Sequence, residues 1–434
     1  MTRVREQAVR GSLLIMLFFI PFGMKKYITI LLPEWYEYAR TFSSLFVYAT
    51  DILALFAIAL SLWYWRKKFF TQDAATLALI GLLACAAISL LFGGNTVLSV
   101  VMFVRLLLAG LFAVALGNAI KEGVLSLRAI SITIGSAAAV QGIVAIAQFI
   151  LQRSIGLAIL GESVITPFTA GVARVSIDGV SYLRAYGTLP HANILAAFLI
   201  FGTFAFGYLL SRPEGSRGLR VFSIAGLFLT LAGLALTFSR SGWIAAALSM
   251  CIVCVREVMH PERRTRFIRF LFPFFISLAA LSFTLGWAVV PRAGFGANEP
   301  SVDHRILYNE IGISLLRSYP YGTGIGGEVL RAEKDGLFVE KGLDKRWMWQ
   351  PIHNLYLLIA TEIGIQGFIA WAAFLYLIRR AAGRKNEAYG WYVGVFSAFL
   401  IFGLFDHFFW DLEAGRLMFW SVLGIMMGLR ATPS

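Results

Sequence analysis

Long apolar segments, separated by short polar or charged ones, repeat along almost the whole chain. An α-helix needs about 20 apolar residues to cross the hydrocarbon core of a bilayer. We therefore expect an all-α polytopic membrane protein that forms a single transmembrane domain over residues 1–434. The pattern predicts about twelve transmembrane helices, at 12–32, 43–64, 74–92, 96–119, 129–151, 191–210, 220–238, 242–255, 268–290, 353–378, 389–405 and 412–429.

Basic residues concentrate in every second connection between these segments, for example at 66–68, 212–220 and 256–269. Short cytoplasmic connections of membrane proteins are enriched in Lys and Arg, so we predict that these connections and both termini are cytoplasmic. Two long loops, 152–190 and 291–352, then lie on the outer, periplasmic side. The second is expected to contain helical segments.

Composition agrees with this topology. The chain is 59% hydrophobic and 14% charged, whereas a soluble domain is about half apolar and a quarter charged. The net charge of +14 follows mainly from the basic cytoplasmic connections. Membrane lipids are therefore the expected surroundings, and the charge does not indicate nucleic acid as a partner.

Three arginines on the outer side have an unusual sequence context. Arg184 precedes a span in SYLRAYGTLPHAN, Arg240 lies in the short connection TFSRSGW, and Arg305 lies in the amphipathic stretch DHRILYNE. Arginines at one face repel one another unless they share an anion, and their donor fork matches a phosphate. A pyrophosphate site at the outer interface is one interpretation. Snorkelling to lipid headgroups, or ion pairs with acidic side chains, is the alternative.

His353 lies at the end of the second long loop, after Pro351. Proline favours a helix start, which predicts His353 in the first helical turn. The positive end of the helix dipole favours a neutral imidazole, which a general base requires. A structural histidine that bonds the loop is the alternative. His191 and Asn193 are further candidates for the same cavity, whereas His407 is interpreted as part of an interfacial turn.

Four segments together resemble the O-antigen ligases of lipopolysaccharide assembly, within a wider group that includes O-antigen polymerases. They are RAYGTLPHANILAAFL (184–199), FSRSGWIAA (238–246), HRILYNEIGISLLRSYPYGTGIGG (304–327) and IHNLYLLIATEIGIQG (352–367). The last has the form HN, an apolar stretch and E-x-G-x-x-G, which begins at Glu362. The pattern of spans and the large loop before the histidine are also similar to this family.

The resemblance implies an inverting, metal-independent glycosyltransferase of the membrane GT-C type, without a cofactor. Its donor would be O-antigen linked to undecaprenyl pyrophosphate. Its acceptor would be a sugar hydroxyl of the lipid A–core oligosaccharide, at the periplasmic face of the bacterial inner membrane. The resemblance gives His353 as the base and Arg184, Arg240 and Arg305 as pyrophosphate ligands, with Arg317 as an alternative to Arg305. The histidines also lack metal-ligand spacings such as HxxxH.

Asn354, Tyr356 and Glu362 are additional candidates from the same motif. Tyr356, with Trp347 and Trp349, has the chemistry to stack on sugar rings, and an interfacial aromatic belt is the alternative. Two other functions remain open. One is an O-antigen polymerase, which uses the same donor, and the other is a lipid-oligosaccharide transporter or flippase, which requires a polar path through the membrane.

Overall fold

The structure is a computed structural model, and it describes residues 2–30, 44–70, 73–94, 96–169, 171–212, 215–293, 300–383 and 386–429. These residues are mostly helical. The helices are α1 (Thr2–Phe19), α2 (Ala49–Trp65), α3 (Ala74–Ser89), α4 (Thr96–Lys121), α5 (Leu127–Leu151), α6 (Ala192–Ser211), α7 (Arg217–Leu236), α8 (Arg240–Val258), α9 (Pro261–Ala293), α10 (Pro300–Ser318), α11 (Glu328–Lys334), α12 (Leu337–Glu340), α13 (Leu355–Ala381), α14 (Tyr389–Gly403), α15 (Phe408–Asp411) and α16 (Glu413–Gly428).

Four short strands form two antiparallel hairpins within the described residues. They are β1 (Lys25–Ile30) with β2 (Ser44–Tyr48), and β3 (Arg174–Ile177) with β4 (Val180–Leu183). The second hairpin lies in the long loop 152–190. The chain is therefore helical in its spans, with small strand pairs in two of its connections.

Each of the twelve predicted spans overlaps a helix. In the described part of the chain, nine helical segments are long and apolar enough to cross a membrane, and Tyr389–Gly403 is a shorter apolar helix. The fold is thus that of a helical, multi-pass membrane protein, as predicted, while the number of twelve spans stays a prediction.

The predicted span 12–32 is wrong in its bounds. The helix covers Thr2–Phe19, and Lys25–Ile30 forms a strand that pairs with Ser44–Tyr48. Pro21 lacks a backbone donor and disfavours continuation of the helix, and the alternating sequence after it suits an extended strand. The predicted span 43–64 likewise begins with a strand, and its helix starts only at Ala49.

The predicted span 242–255 is too short, because helix α8 runs over 19 residues from Arg240 to Val258. Ser239 caps its N-terminus by accepting a hydrogen bond from the Gly242 amide. A serine at this position satisfies one of the free amides of the first turn. The connection between α7 and α8 is therefore only the three residues 237–239, which holds Arg240 at a helix terminus.

Helix α6 is the centre of the bundle, since every one of its residues is buried. It packs against α5, α7, α8, α9, α14 and α16. Gly202 and Gly207 allow this close packing, because a methyl group at either position would overlap Ala138 or Trp391, respectively. The N-terminal end of this central helix carries His191 and Asn193, so the packing of the bundle fixes both side chains.

Within the second long loop, residues 300–352 fold as a helical unit with its own small core. Tyr308, Ile311 and Leu315 of α10 pack with Val329 and Phe338 of the following two short helices. Helix α10 also packs against α13. This packing positions the face of α10 that carries Arg305 next to the start of α13.

A break in α13 connects this loop to the membrane helices. Gly364 has φ 77°, a left-handed conformation that suits glycine. The amides of Thr323 and Gly324 donate to the carbonyl groups of Thr361 and Glu362 at the break. The glycine-rich segment 321–327 is therefore a turn docked on the break in α13.

We predict that Gly207→Ala destabilises the protein, because its methyl group would overlap the ring of Trp391. Overpacking of this kind costs about 1–3 kcal/mol. Gly286→Ala is the matched control, since it also lies within a long helix but has nothing within 4 Å of the added methyl group. Thermal unfolding in detergent should show a lower Tm for Gly207→Ala alone. Equal Tm values for both variants would contradict the central position of α6.

Candidate active site

A cavity of about 800 Å³ lies at the end of the bundle where the two long loops meet. Residues from both loops and from several helix ends line it. They are Gly171, Ala173, Arg174, Arg184, Pro190, His191, Asn193, Ile194, Phe238, Ser239, Arg240, Ser241, Arg292, His304, Arg305, Tyr308, Trp347, Met348, Gln350, His353, Asp406, His407, Phe408 and Leu412. The structure therefore brings the three predicted arginines and His353 together in one cavity.

The cavity is strongly positive. Among the described residues that line it are five arginines, Arg174, Arg184, Arg240, Arg292 and Arg305, and a single carboxylate, Asp406. Two helix N-termini add partial positive charge, since His191 caps α6 and Ser239 caps α8. Arginines and free amides at a helix N-terminus together favour an anion. A ligand with several negative charges fits this arrangement.

Asn193 holds the centre of the site together. Its carbonyl oxygen accepts hydrogen bonds from Arg184 Nη2 at 2.7 Å and from Ser239 Oγ at 3.0 Å. Its amide nitrogen donates to Asp406 Oδ2 at 2.8 Å. Because Asn193 belongs to the buried central helix, this amide connects the arginine of one loop with the carboxylate of another.

Arg184 is held rigidly at the cavity wall. Its Nε donates to the carbonyl oxygen of Thr237 at 2.7 Å, and its side chain is buried. Burial, together with the neighbouring charges of Arg292 and Arg305, lowers the pKa of Arg184 to about 10. At neutral pH the guanidinium remains charged. Its burial next to other arginines makes an anionic ligand favourable.

His353 is placed with one ring nitrogen free. Its Nδ1 lies 2.8 Å from the carbonyl oxygen of Pro351, and a carbonyl group can only accept, so Nδ1 carries the proton. Nε2 then keeps its lone pair. The ring stacks on Tyr308 at 5.2 Å between centroids and meets His407 edge to face at 4.8 Å.

Burial is the main reason that His353 is neutral. It lowers the pKa to about 3, and the charges of His407 and Arg305 act in the same direction, whereas Asp406 opposes them. The predicted position of His353 in the first helical turn is wrong, because α13 starts at Leu355 and Asn354 is its cap. The neutral imidazole stays a prediction, and burial is the principal cause of the lowered pKa.

The position of Asn354 gives it a structural role. Its Oδ1 accepts hydrogen bonds from the amides of Tyr356 and Leu357, which caps α13. Tyr356 donates its hydroxyl group to the carbonyl oxygen of Leu400. Neither side chain lines the cavity. Both therefore support the start of α13, and the predicted sugar contact of Tyr356 has no place in this arrangement.

Glu362 and Arg317 also lie away from the cavity lining. Glu362 is buried, and its Oε2 accepts a hydrogen bond from Trp410 Nε1 at 2.7 Å. Arg317 is exposed in the last turn of α10. Twelve residues separate it from Arg305, which is about 18 Å along a helix. Of these two arginines, only Arg305 lines the cavity, so Arg305 is the better candidate for a pyrophosphate ligand.

Trp347 and Trp349 have different environments. Trp347 lines the cavity, and 53% of its surface is exposed. Trp349 stacks on Phe338 at 5.4 Å and donates its indole N–H to the carbonyl oxygen of Leu343. Trp349 thus stabilises the loop core, whereas Trp347 presents an aromatic face to a ligand.

The sequence interpretation missed several residues of the site. His407 was interpreted as part of an interfacial turn, but its side chain is buried in the cavity wall and bonds Asp411. Asp406 and Arg292 also line the cavity. In the sequence, the segment DHFFWD (406–411) gave a signal for Asp406 and His407, since it places two carboxylates around a histidine in an apolar region.

Arg105, a charge within a predicted span, finds a backbone partner. Its Nη2 donates to the carbonyl oxygen of Phe46 in β2 at 2.6 Å, and its guanidinium lies 5.4 Å from the ring centre of Tyr48. The strand therefore supplies the carbonyl group that satisfies this arginine. Arg105 does not line the cavity, which gives it a structural role.

Four histidines line the cavity, namely His191, His304, His353 and His407. Within the described ranges, no group of three His, Cys, Asp or Glu side chains is arranged to hold a metal ion. His191 accepts a hydrogen bond from the Asn193 amide, and His407 bonds a carboxylate. Positive charge in this cavity is supplied by arginines and one histidine.

The family model described as O-antigen ligase matches residues 225–372. The predicted O-antigen ligase family is confirmed over this segment. The segment includes Arg240, Arg292, Arg305 and His353, which line the cavity. This family indicates an enzyme of the O-antigen ligase or polymerase type, acting at a membrane. A comparison with curated proteins found no match.

The lowered pKa values of His191 and His353 predict a loss of stability in acid. They are about 4 and about 3 in the folded protein, whereas an unfolded histidine titrates near ~6.5. Between pH ~6.5 and ~4 the unfolded chain binds protons that the folded chain does not. The free energy of unfolding should therefore fall by up to about 1.4 kcal/mol, for each histidine, with every unit by which the pH is lowered.

Thermal unfolding in detergent from pH ~4 to ~7 measures this slope. His353→Gln should flatten it, while His260→Gln should leave it unchanged because that exposed histidine lies outside the cavity lining. His407 has the opposite effect. Because its pKa is raised to about 9 in the folded protein, it contributes stability that is lost as the pH rises from ~6.5 to ~9. An equal slope in His353→Gln and wild type would contradict the neutral, buried state of His353.

Proposed function

We propose that the protein is an O-antigen ligase that transfers a glycan from undecaprenyl pyrophosphate to a sugar hydroxyl of lipid A–core. The reaction occurs at the periplasmic face of the inner membrane, by an inverting and metal-independent mechanism. One observation carries the proposal most directly. The cavity combines five arginines with a neutral histidine and only one lining carboxylate among its described residues. The family match at residues 225–372 supports it.

Arg184, Arg240 and Arg305 hold the donor pyrophosphate in this proposal. Arg240 is the first residue of α8, so a phosphate there also meets the amides of a helix N-terminus. Bond cleavage leaves negative charge on the pyrophosphate oxygens. Guanidinium groups already fixed around that position stabilise this charge in the transition state, which is the task that a metal ion performs in other enzymes.

His353 activates the acceptor. Its Nε2 takes the proton of the acceptor hydroxyl group, the oxygen forms a bond to the anomeric carbon, and the bond from that carbon to pyrophosphate breaks. This single displacement inverts the anomeric centre. Burial and nearby positive charge keep the pKa of His353 at about 3. The negative charge of a bound donor raises that pKa, so His353 becomes an effective base when pyrophosphate is present.

The acceptor approaches from the side of the second long loop. Trp347 and Gln350 line the cavity together with His353. The half-exposed indole ring of Trp347 offers an apolar face to a sugar ring. An acceptor bound there places a hydroxyl group near Nε2 of His353. The two substrates thus meet at the histidine.

An O-antigen polymerase is the second candidate, because it uses the same donor chemistry and belongs to the same group. The matching family model is described as O-antigen ligase, which favours the ligase over the polymerase. They differ in the acceptor, which is another lipid-linked repeat unit for a polymerase. Assays with purified lipid A–core and with lipid-linked repeat units as alternative acceptors separate them.

A transporter is less consistent with the structure. Transport requires a polar path across the bundle, but the central helix α6 is buried along its whole length. At the other end of α6, the cavity beside Tyr208 and Glu257 measures only about 20 Å³. The large polar cavity is instead formed where the two long loops meet, which suits chemistry at one membrane face.

We predict that His353→Ala loses about 10²–10⁴-fold in transfer rate, the usual contribution of a general base. In cells that lack their own ligase, the wild-type gene should restore the O-antigen ladder of lipopolysaccharide on a gel. The variant should leave lipid A–core unmodified while the lipid-linked glycan accumulates. Membrane levels of the variant must match wild type. A normal ladder would exclude His353 as the base.

We predict that Arg305→Ala weakens donor binding, whereas Arg317→Ala does not. Both arginines belong to α10, but only Arg305 lines the cavity. Loss of a charge-assisted hydrogen bond costs about 1.5–3 kcal/mol, or about 10- to 150-fold in affinity. The KM for the donor in a detergent assay measures this loss. Equal effects of both substitutions would remove Arg305 from the pyrophosphate site.

A further inference from the structure

We infer that His407, fixed by Asp411, is a positioning residue that keeps His353 in its neutral, proton-accepting form. This inference rests on the proposed role of His353 as the base and adds a second residue pair to it. His407 and Asp411 both lie outside the segment that matches the O-antigen ligase family.

The geometry fixes the orientation of His407. Its Nδ1 lies 2.7 Å from Oδ2 and 2.9 Å from Oδ1 of Asp411, so one N–H donates to both carboxylate oxygens. The other ring nitrogen, Nε2, lies 3.9 Å from Oδ1 of Asp406. With a carboxylate at each end, the ring is stabilised as an imidazolium. Burial lowers the pKa of His407, but Asp411 and Asp406 outweigh burial and raise it to about 9.

The charged ring acts directly on His353. The two imidazoles meet edge to face, with 4.8 Å between centroids and 78° between planes. A positive charge at this distance disfavours a second proton on His353. The Nδ1 of His353 is already committed to the Pro351 carbonyl group, so the proton would have to enter at Nε2. His407 therefore protects the lone pair that the reaction uses.

Other groups around the pair modify this effect. His353 is also faced by Arg305 and Tyr308 of α10 and by Asp406, of which Arg305 adds to the repulsion and Asp406 opposes it. His407 is faced by Asp406 and Asp411, and by Glu328 and Glu362 from α11 and α13. Asp411 and Asp406 flank the two ring nitrogens of His407, whereas His353 has two cations nearby, His407 and Arg305. The two adjacent histidines thus hold opposite charge states.

Histidine ring titration by NMR tests this inference without relying on activity. The chain contains five histidines, so selective ¹⁵N labelling with single His→Gln variants assigns every signal in detergent micelles. In the wild-type protein at pH ~7, His407 should be protonated and His353 neutral with hydrogen on Nδ1. A neutral His407 at this pH would overturn the inference.

The His407→Gln variant removes the charge and keeps a side chain that can bond Asp411. The pKa of His353 should then rise by about one unit, which is the lower end of the range of shifts that one nearby charge causes. His260→Gln is the control, because that exposed histidine lies outside the cavity lining. An unchanged His353 titration in His407→Gln would overturn the inference. Asp411→Asn serves as a second variant if His407→Gln does not fold, and it should lower the pKa of His407.

The pH profile of transfer separates this inference from the proposed function. If His353 is the base, the acid limb of kcat/KM in His407→Gln should move upward in pH by the same amount as the ring titration. An NMR shift without a shift of the acid limb would support the coupling of the two histidines and overturn His353 as the base. A shift of neither would overturn the coupling alone.

Discussion

Positive charge confined to one partly buried cavity is the constraint on which the rest of the site depends. Five arginines line this cavity with a single described carboxylate, and burial makes their mutual repulsion more costly than it would be in water. Asn193 limits that cost by binding Arg184 and Asp406 with the same amide group. A multiply charged anion would remove most of the remaining imbalance, and pyrophosphate is the anion that we propose.

The fold explains how so many charges reach one place. Helix α6 is buried along its length, so its N-terminal end is fixed relative to the helices around it. The two long loops close over that end, one through the Arg184 contacts and the other through the packing of α10 against α13. Each loop contributes arginines to the cavity lining. The cavity is therefore a property of the assembled bundle rather than of any one motif.

Sequence context identified those site residues whose type is unusual for their position in the chain. Arg240 in a three-residue connection and His353 after a proline are visible without a structure, and both line the cavity. His407 was missed because its burial and its contact with the ring of His353 only become apparent once the chain is folded. Asn354 was a candidate by its place in a motif, but its hydrogen bonds show that it caps a helix. The predicted bounds of the first span were wrong because hydropathy alone does not account for Pro21 or for the alternating pattern after it.

The position of a bound donor would show whether the arginine-lined cavity holds pyrophosphate. A structure determined by electron cryomicroscopy with a non-transferable analogue of the lipid-linked glycan would locate its pyrophosphate group. The account predicts this group within hydrogen-bond distance of Arg240 and Arg305, with the anomeric carbon facing Nε2 of His353. A pyrophosphate bound elsewhere, for example among Arg212, Arg263 and Arg266 at the opposite end of α6, would contradict it.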